Sequence, residues 1–229
     1  MSKTSIRGGL TALILTLLTA AGGPAMHPAF AQTTPADANA AKPDTNAAPD
    51  ELVRRLSTDV LDSIKKDKSL QSGDLAKLQH LVDEKILPYV DFDKMTQLAV
   101  GRGWRQASPE QRQALSREFR TLLVRTYAGA MSQVREHQVK LLPFRPGSPD
   151  DVVVRTQIVA PRGDPIQIDY RLEKTGAGWK IYDVNVLGVW LVENYKNSFA
   201  SEINQGGIDG LIKSLSERNK QGGDPAKRA

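Results

Sequence analysis

At 229 residues, 40% hydrophobic, 25% charged and 6% aromatic, the chain has the composition of one large or two small soluble domains, not of a polytopic membrane protein. It has no cysteine and three histidines, which excludes thiol catalysis, disulfides, zinc–thiolate sites and iron–sulfur clusters. Its 31 lysines and arginines against 26 aspartates and glutamates give a formal charge of +5.

Lys3 and Arg7 precede an apolar run, Leu10–Ala21, broken only by threonines, and Ala29-Phe30-Ala31 follows. A positive start, a short apolar stretch and a small-residue site predict a secretory signal peptide over residues 1–31, cut after Ala31. The 12 residues of the run cover only about 18 Å of a ~30 Å hydrocarbon core, too little for an anchor. With Lys3 and Arg7 gone the charge falls to +3. The mature chain is expected to be exported and soluble, in the periplasm or outside the cell. Residues 32–50 hold no large apolar side chain and predict a disordered leader, and residues 219–229 predict a flexible tail. One folded domain over 51–218 remains.

Leu52, Val53, Leu56, Val60, Leu61 and Ile64 make one helical stripe, with Asp50 as N-cap. A second helix runs from Asp74, with Leu75, Leu78, Val82 and Ile86 inward, until Pro88 stops it. Asp91 opens a short third helix through Val100, and Gly101-Arg102-Gly103 breaks the chain before Trp104. Ser108-Pro109-Glu110-Gln111 has the form of a capping box and starts a helix of roughly 26 residues, about 39 Å. After Val139 the period becomes two. Lys140–Phe144, Asp151–Val159, Ile166–Glu173 and Trp179–Val186 read as four strands joined by Gly- and Pro-rich turns. Helical spacing returns at Val189 and again at Ile208. Helices, then an antiparallel meander, then helices make an α+β fold.

Chemistry is sparse. His80, Asp83 and Glu84 share neighbouring turns of one helix, an arrangement more typical of a solvated face than of a metal site. His137 sits near the end of the long helix, where a cation is favoured by the dipole. No G-x-S-x-G elbow occurs, and Gly101-Arg102-Gly103 lacks the third glycine of a phosphate cradle. A charge of +3 is no nucleic-acid footprint. What stands out is apolar. The strands turn Val152, Val154, Ile158, Ile166, Ile168 and Tyr170 inward, and the long helix offers Phe119, Leu122, Leu123, Tyr127 and Met131. Gly129 in mid-helix costs ~1 kcal/mol against Ala, so close packing of another helix or room for a ligand is expected beside it. Composition alone does not separate a filled core from a hollow one.

Gly101, Trp104-Arg105, Ser108/Gln111, Phe119 and Tyr127-Ala128 stand in an order that resembles one family. Tyr170-Arg171-Leu172, Gly178-Trp179-Lys180, Tyr182-Asp183-Val184, Gly188-Val189, Leu191-Val192, Asn194-Tyr195, Phe199 and Gly207 to Ile212 continue the pattern. The chain resembles, from about Leu52 to Leu215, the MlaC family, the periplasmic lipid carriers of the Mla transport system, also called the toluene-tolerance or ABC-transporter auxiliary family. Trp190 departs from it, standing where relatives usually have a small residue.

The resemblance implies a curved four-stranded antiparallel sheet wrapped by about six or seven helices, with acyl chains in a cavity between sheet and helices. It implies a shuttle for phospholipid between outer and inner membrane, with no enzymatic activity, no metal and no cofactor beyond the phospholipid cargo. The implied partners are an inner-membrane ABC transporter complex with its substrate-binding ring and an outer-membrane lipoprotein complex. Expected lipid-binding residues are Val100, Trp104, Phe119, Leu122, Leu123, Tyr127, Met131, Val154, Ile158, Ile168, Tyr170, Val184, Val189 and Leu191. Two acyl chains hold about 30 methylenes, and at ~0.8 kcal/mol each they cost of order 25 kcal/mol to carry through water. Such a carrier needs a dry cavity and no covalent chemistry. A hopanoid or other apolar lipid is the variant cargo. A small isomerase or hydratase on a cone-shaped α+β fold, using Asp183 or Tyr170, is the competing class, and a solid-core adaptor the third. Any hinge would lie near Gly101/Gly103 or at the Gly188 turn, where backbone rearrangement is cheapest; ordinary turns are the other reading of these glycines.

Overall fold

Local signals set the helices of the computed structural model, which describes residues 42–134 and 136–221. Helix α1 (Pro49–Lys66) starts on a proline, and Asp50 and Glu51 lie in its first turn, where the helix dipole favours them. The N-cap is Ala48, with no side-chain bond, so Asp50 acts inside the turn rather than ahead of it. Asp67 caps the short α2 (Lys68–Gln71), and Asp74 caps α3 (Leu75–Leu81) by accepting the Lys77 N–H at 3.1 Å. The expected single helix to Ile86 instead changes pitch. A π-helical turn, Val82–Ile86, and a 3-10 turn, Leu87–Tyr89, follow α3 directly. Asp91 caps α4 (Phe92–Val100), which ends at Gly101 with φ 64° and ψ −129°, a conformation open to glycine. A 3-10 turn, Gly101–Arg105, leads to α5 (Pro109–Ser132). There Ser108 and Gln111 bond reciprocally, so the capping box is complete.

The sheet is antiparallel, in the order β1-β2-β3-β4-β5: β1 (Gln138–Leu141), β2 (Asp151–Val159), β3 (Ile166–Thr175), β4 (Gly178–Val186) and β5 (Val189–Trp190). The first strand starts two residues earlier than its alternation suggests. The expected count of four strands is corrected to five. Leu187 and Gly188 both take positive φ and fold the chain back at once, so Val189 pairs with Val186 and Trp190 with Asn185. The helical spacing from Val189 therefore becomes helix only at Leu191, where α6 (Leu191–Gln221) begins; Gly207, at φ 66°, interrupts it. A leucine at positive φ costs roughly 1–2 kcal/mol.

Register stacks the inward residues in rows: Val152–Leu172–Ile181, Val154–Tyr170–Val184, Thr156–Ile168–Val186 and Ile158–Ile166. A bulge at Tyr182 lets both Ile181 and Val184 join those rows. Helix α1 lies on the sheet through Leu52, Val53 and Leu56, which pack with Val152, Val154, Leu172, Trp179 and Ile181. A second cluster joins Leu61 and Ile64 to α3, to Val124 and Ala128 of α5, and to Ile158. The third lies between α4, α5 and α6, around Phe119, whose ring meets Tyr195 and Phe199 edge-on at 5.0 and 5.2 Å.

The segment ahead of α1 is seated as well. The Trp179 N–H donates to the Thr45 carbonyl at 2.8 Å. A Cβ at Gly178, itself at φ 92°, would meet that carbonyl oxygen at 2.5 Å, so only glycine fits. The signal peptide read over 1–31, residues 32–41 of the leader expected over 32–50 and the tail from 222 lie outside the described residues. Pro49 and Asp50 of that leader already belong to α1, and residues 219–221 of the expected tail end α6, with Asn219 buried.

Candidate functional site

Between the three clusters the interior is not filled. An apolar cavity of ≈ 250 Å³ lies between the sheet, α1 and the C-terminal half of α5. Helix α1 contributes Leu56, Ser57, Val60, Leu61 and Ile64; α5 contributes Tyr127, Ala130 and Met131, with Val134 just beyond. Ile158, Ile166, Ile168, Tyr170, Ile181, Val184 and Val186 form the sheet wall, and Ile86 of the π-helical turn and Val90 close it. None of these side chains is charged. The cavity exists because the elements that surround it are each anchored elsewhere: Phe119 ties α5 to α6, and Leu52 and Val53 tie α1 to the sheet.

Polar groups are few and engaged. The Tyr170 hydroxyl lies 3.2 Å from Ser57 Oγ, joining β3 to α1. Burial pushes the Tyr170 phenol above its usual value, against the opposing effect of hydrogen bonds with Ser57 and Thr156, so it stays neutral and offers no base. Thr156 Oγ1 donates to the Ile168 carbonyl at 2.9 Å, and its side chain is buried.

The residues expected to touch ligand divide into two groups. Tyr127, Met131, Ile158, Ile168, Tyr170 and Val184 meet around the cavity. The other eight stand elsewhere. Val100, Trp104, Phe119 and Leu122 are buried in the α4–α5–α6 cluster and Leu123 packs against it, while Val154 belongs to the α1–sheet cluster. Leu191 is buried at the start of α6, and Val189 is exposed at the β4–β5 turn. Helix α5 carries apolar residues on more than one face, and its N-terminal half meets α6 rather than the cavity. The α1 wall is the part that sequence reasoning left in the core. Its signal was a stripe, Leu56, Val60, Leu61 and Ile64, that continues past the residues needed to cover the sheet. Gly129 supports neither expected role: it is exposed, and a Cβ there would meet nothing within 4 Å.

Asp183, the carboxylate considered for catalysis, does not line the cavity. Its Oδ1 accepts the Val192 N–H at 3.1 Å at the start of α6 and the Val184 N–H at 2.9 Å. Its Oδ2 accepts Arg171 Nη1 at 3.1 Å. Burial raises its pKa, while those backbone bonds and Arg171 pull the other way. It is a helix cap in the physical sense, a negative charge held at the positive end of α6. His80 Nδ1 lies 3.4 Å from Glu84, and Asp83 pairs with Arg120 at 3.2 Å instead of completing a cluster. His137 lies five residues beyond α5, whose last residue is Ser132, and so does not cap it. Among the described residues no group of three or more His, Asp or Glu stands as a metal site, and no helix is long and apolar enough to cross a membrane. A wider surface recess of ≈ 680 Å³ beside α4 and α5 carries Asp91, Asp93, Arg117, Arg120 and Lys180, which makes it a wet, mixed-charge groove.

The profile of the MlaC protein family matches residues 54–217. The chain belongs to the MlaC family. The intermembrane phospholipid transport system binding protein MlaC of Haemophilus influenzae is 24% identical over 174 residues, covering 74% of this chain and 81% of that relative. Toluene tolerance protein ttg2D of Pseudomonas putida is 22% identical over 162 residues, covering 70% of this chain and 75% of its own. Among solved structures, the phospholipid-binding protein of Ralstonia solanacearum, in complex with a phospholipid, is 48% identical with a TM-score of 0.71. The match covers 74% of this chain and 96% of that one. By name, the Haemophilus relative is a phospholipid-transport binding protein and the Ralstonia one a phospholipid-binding protein.

Proposed function

We propose that this MlaC protein is a periplasmic carrier that holds phospholipid tails in the cavity between the sheet, α1 and α5. On this reading it shuttles the lipid between outer and inner membrane with an ABC transporter complex, its substrate-binding ring and an outer-membrane lipoprotein complex. The observation that carries the reading is a cavity with no charged lining in a chain 48% identical to a protein that holds a phospholipid. The N-terminal signal-peptide pattern supports the compartment.

Energetics argue the same way. Apolar lining left facing water in a pocket of ≈ 250 Å³ is unfavourable, at roughly 25 cal/mol per Å². A guest with an apolar tail removes that cost. The cavity is also smaller than the ~300–1,000 Å³ of ordinary small-molecule sites, so two acyl chains have to push α1 and α5 further from the sheet. Tyr127, Met131, Ile158, Ile168, Tyr170 and Val184 are the wall that receives them. Release requires a continuous apolar path in the acceptor, because each bared methylene costs ~0.8 kcal/mol. Docking therefore precedes release.

Protein purified under native conditions is expected to carry lipid. Native mass spectrometry should give the polypeptide plus one phospholipid, and solvent extraction should return the same lipid. A spectrum with only the polypeptide mass overturns the reading.

A further inference from the structure

The turn between β4 and β5 bears two costs that folding does not require. Leu187 and Gly188 have φ of 53° and 90°, both positive as in a type I′ hairpin, where Asn-Gly or Gly-Gly is the relaxed choice. Leu187 is the one non-glycine residue at positive φ among the described residues. The residue is also 66% exposed, and Val189 is 47% exposed. Among the described residues Leu98, on α4, is the other large exposed hydrophobic, so two of the three stand on this one turn. Trp190 comes next, half-buried, its ring 4.0 Å over the Arg171 guanidinium.

The turn is firmly held and sits beside the cavity. The Leu187 N–H donates to the Gln167 carbonyl at 3.1 Å, and Asn185 Oδ1 accepts the Gly188 N–H at 2.8 Å. Val186 on one side, and Ile166 and Ile168 flanking Gln167 on the other, all line the cavity. A strained, exposed leucine thus stands at the cavity rim.

We propose that Leu187, Val189 and Trp190 form a docking tip that dips into the outer acyl layer of a lipid bilayer and brings the cavity rim to the lipid surface. The size of the tip favours a bilayer over a protein partner. Three side chains, the largest of which buries about 150–250 Å², fall well short of the ~1,000 Å² that a specific protein interface needs. A bilayer demands no shape complementarity, and a tryptophan behind two aliphatic side chains suits its interface. Arg171, beneath the Trp190 ring, is already paired with Asp183 at 3.1 Å. The contact is accordingly apolar, and salt should not weaken it. The purpose of the tip rests on the carrier reading above, but its membrane contact is measurable apart from any cargo.

The experiment is co-flotation of the purified chain with vesicles of neutral phosphatidylcholine, beside a Leu187→Asn/Val189→Thr double variant. Asparagine tolerates positive φ and threonine keeps the β-branch, so the variant should melt at the same temperature or higher. The wild type should float, with its tryptophan emission shifted to the blue, since Trp104 and Trp179 are buried and Trp190 is not. The double variant should float at least about tenfold less. Raising the salt should leave the wild-type result unchanged. Failure of the wild type to float, flotation of the variant at the wild-type level, or binding confined to anionic vesicles and lost in salt each overturns the proposal. Native mass spectrometry of both proteins separates the two claims: a wild type that floats yet holds no lipid sinks the carrier reading and leaves the docking tip standing.

Discussion

The Tyr170 hydroxyl and Ser57 Oγ stand 3.2 Å apart, joining β3 to α1 inside a cavity whose lining carries no charge. The contact ties the helix that forms one wall to the strand that forms the other. Tyr170→Phe removes the hydroxyl and costs ~1 kcal/mol, a typical net value for one hydrogen bond. Lipid retained on purification should be undiminished, because the wall only becomes more apolar. Loss of lipid in the folded variant would mean that the hydroxyl holds the cargo directly, which thermal melting and native mass spectrometry together decide.

Leu122 and Met131 lie nine residues apart on α5 and should respond to the same change in opposite ways. Leu122 is buried in the α4–α5–α6 cluster, so Leu122→Asp places a carboxylate among Phe119 and its neighbours and should unfold the chain, a loss of about 4 kcal/mol or more. Met131 is half-buried at the cavity wall, where Met131→Asp can reach water. That variant should stay folded at a cost of about 1–2 kcal/mol and lose most of its lipid. Circular dichroism with lipid extraction reads both. Equal loss of fold and lipid in the Met131 variant would remove the cavity from the site.

Gly129→Ala should stabilise the protein. The position is inside α5, is exposed, and offers open space to a Cβ. The gain is ~1 kcal/mol, or about 2–4 °C in Tm for a domain of this size, with lipid content unchanged. A fall in Tm would mean that the glycine serves a packing need absent from this structure.

Alkaline pH should destabilise the fold. Burial, with the bond to Asp151, pushes Tyr182 up to about 12, and its hydroxyl donates to Asp151 Oδ2 at 2.9 Å. An unfolded tyrosine titrates near ~10. The folded state therefore binds the proton more tightly, its advantage is complete below ~10, and it is lost as pH rises towards about 12. Denaturant midpoints measured across that range should fall for the wild type and fall less for Tyr182→Phe. Parallel curves for the two proteins would show that Tyr182 titrates normally.

Much of the fold was legible locally. Asp74, Asp91 and Ser108 each cap a helix that the sequence starts at that residue, because capping depends on a few neighbouring atoms. Strands β2 and β3 follow their period-two alternation for the same reason, and β4 does so on either side of the bulge at Tyr182. Two local features are not legible in the sequence: the π-helical turn at Val82–Ile86, which leaves the apolar spacing intact, and β5, which depends on a leucine in a conformation that leucine disfavours.

The cavity was only half legible, and α5 shows why. Phe119 and Tyr127 are both large aromatic residues on one amphipathic helix, and residue type alone suits either for core or for pocket. Phe119 meets the rings of Tyr195 and Phe199, brought in by a helix some eighty residues later, and is sealed. Tyr127 faces α1 and the sheet where neither comes close enough to fill the space. The family, the element order and the scarcity of chemistry were in the chain itself, since these rest on residue identity and spacing. Whether a given apolar side chain packs or lines a void rests on what stands opposite it, and that is decided only when distant segments meet.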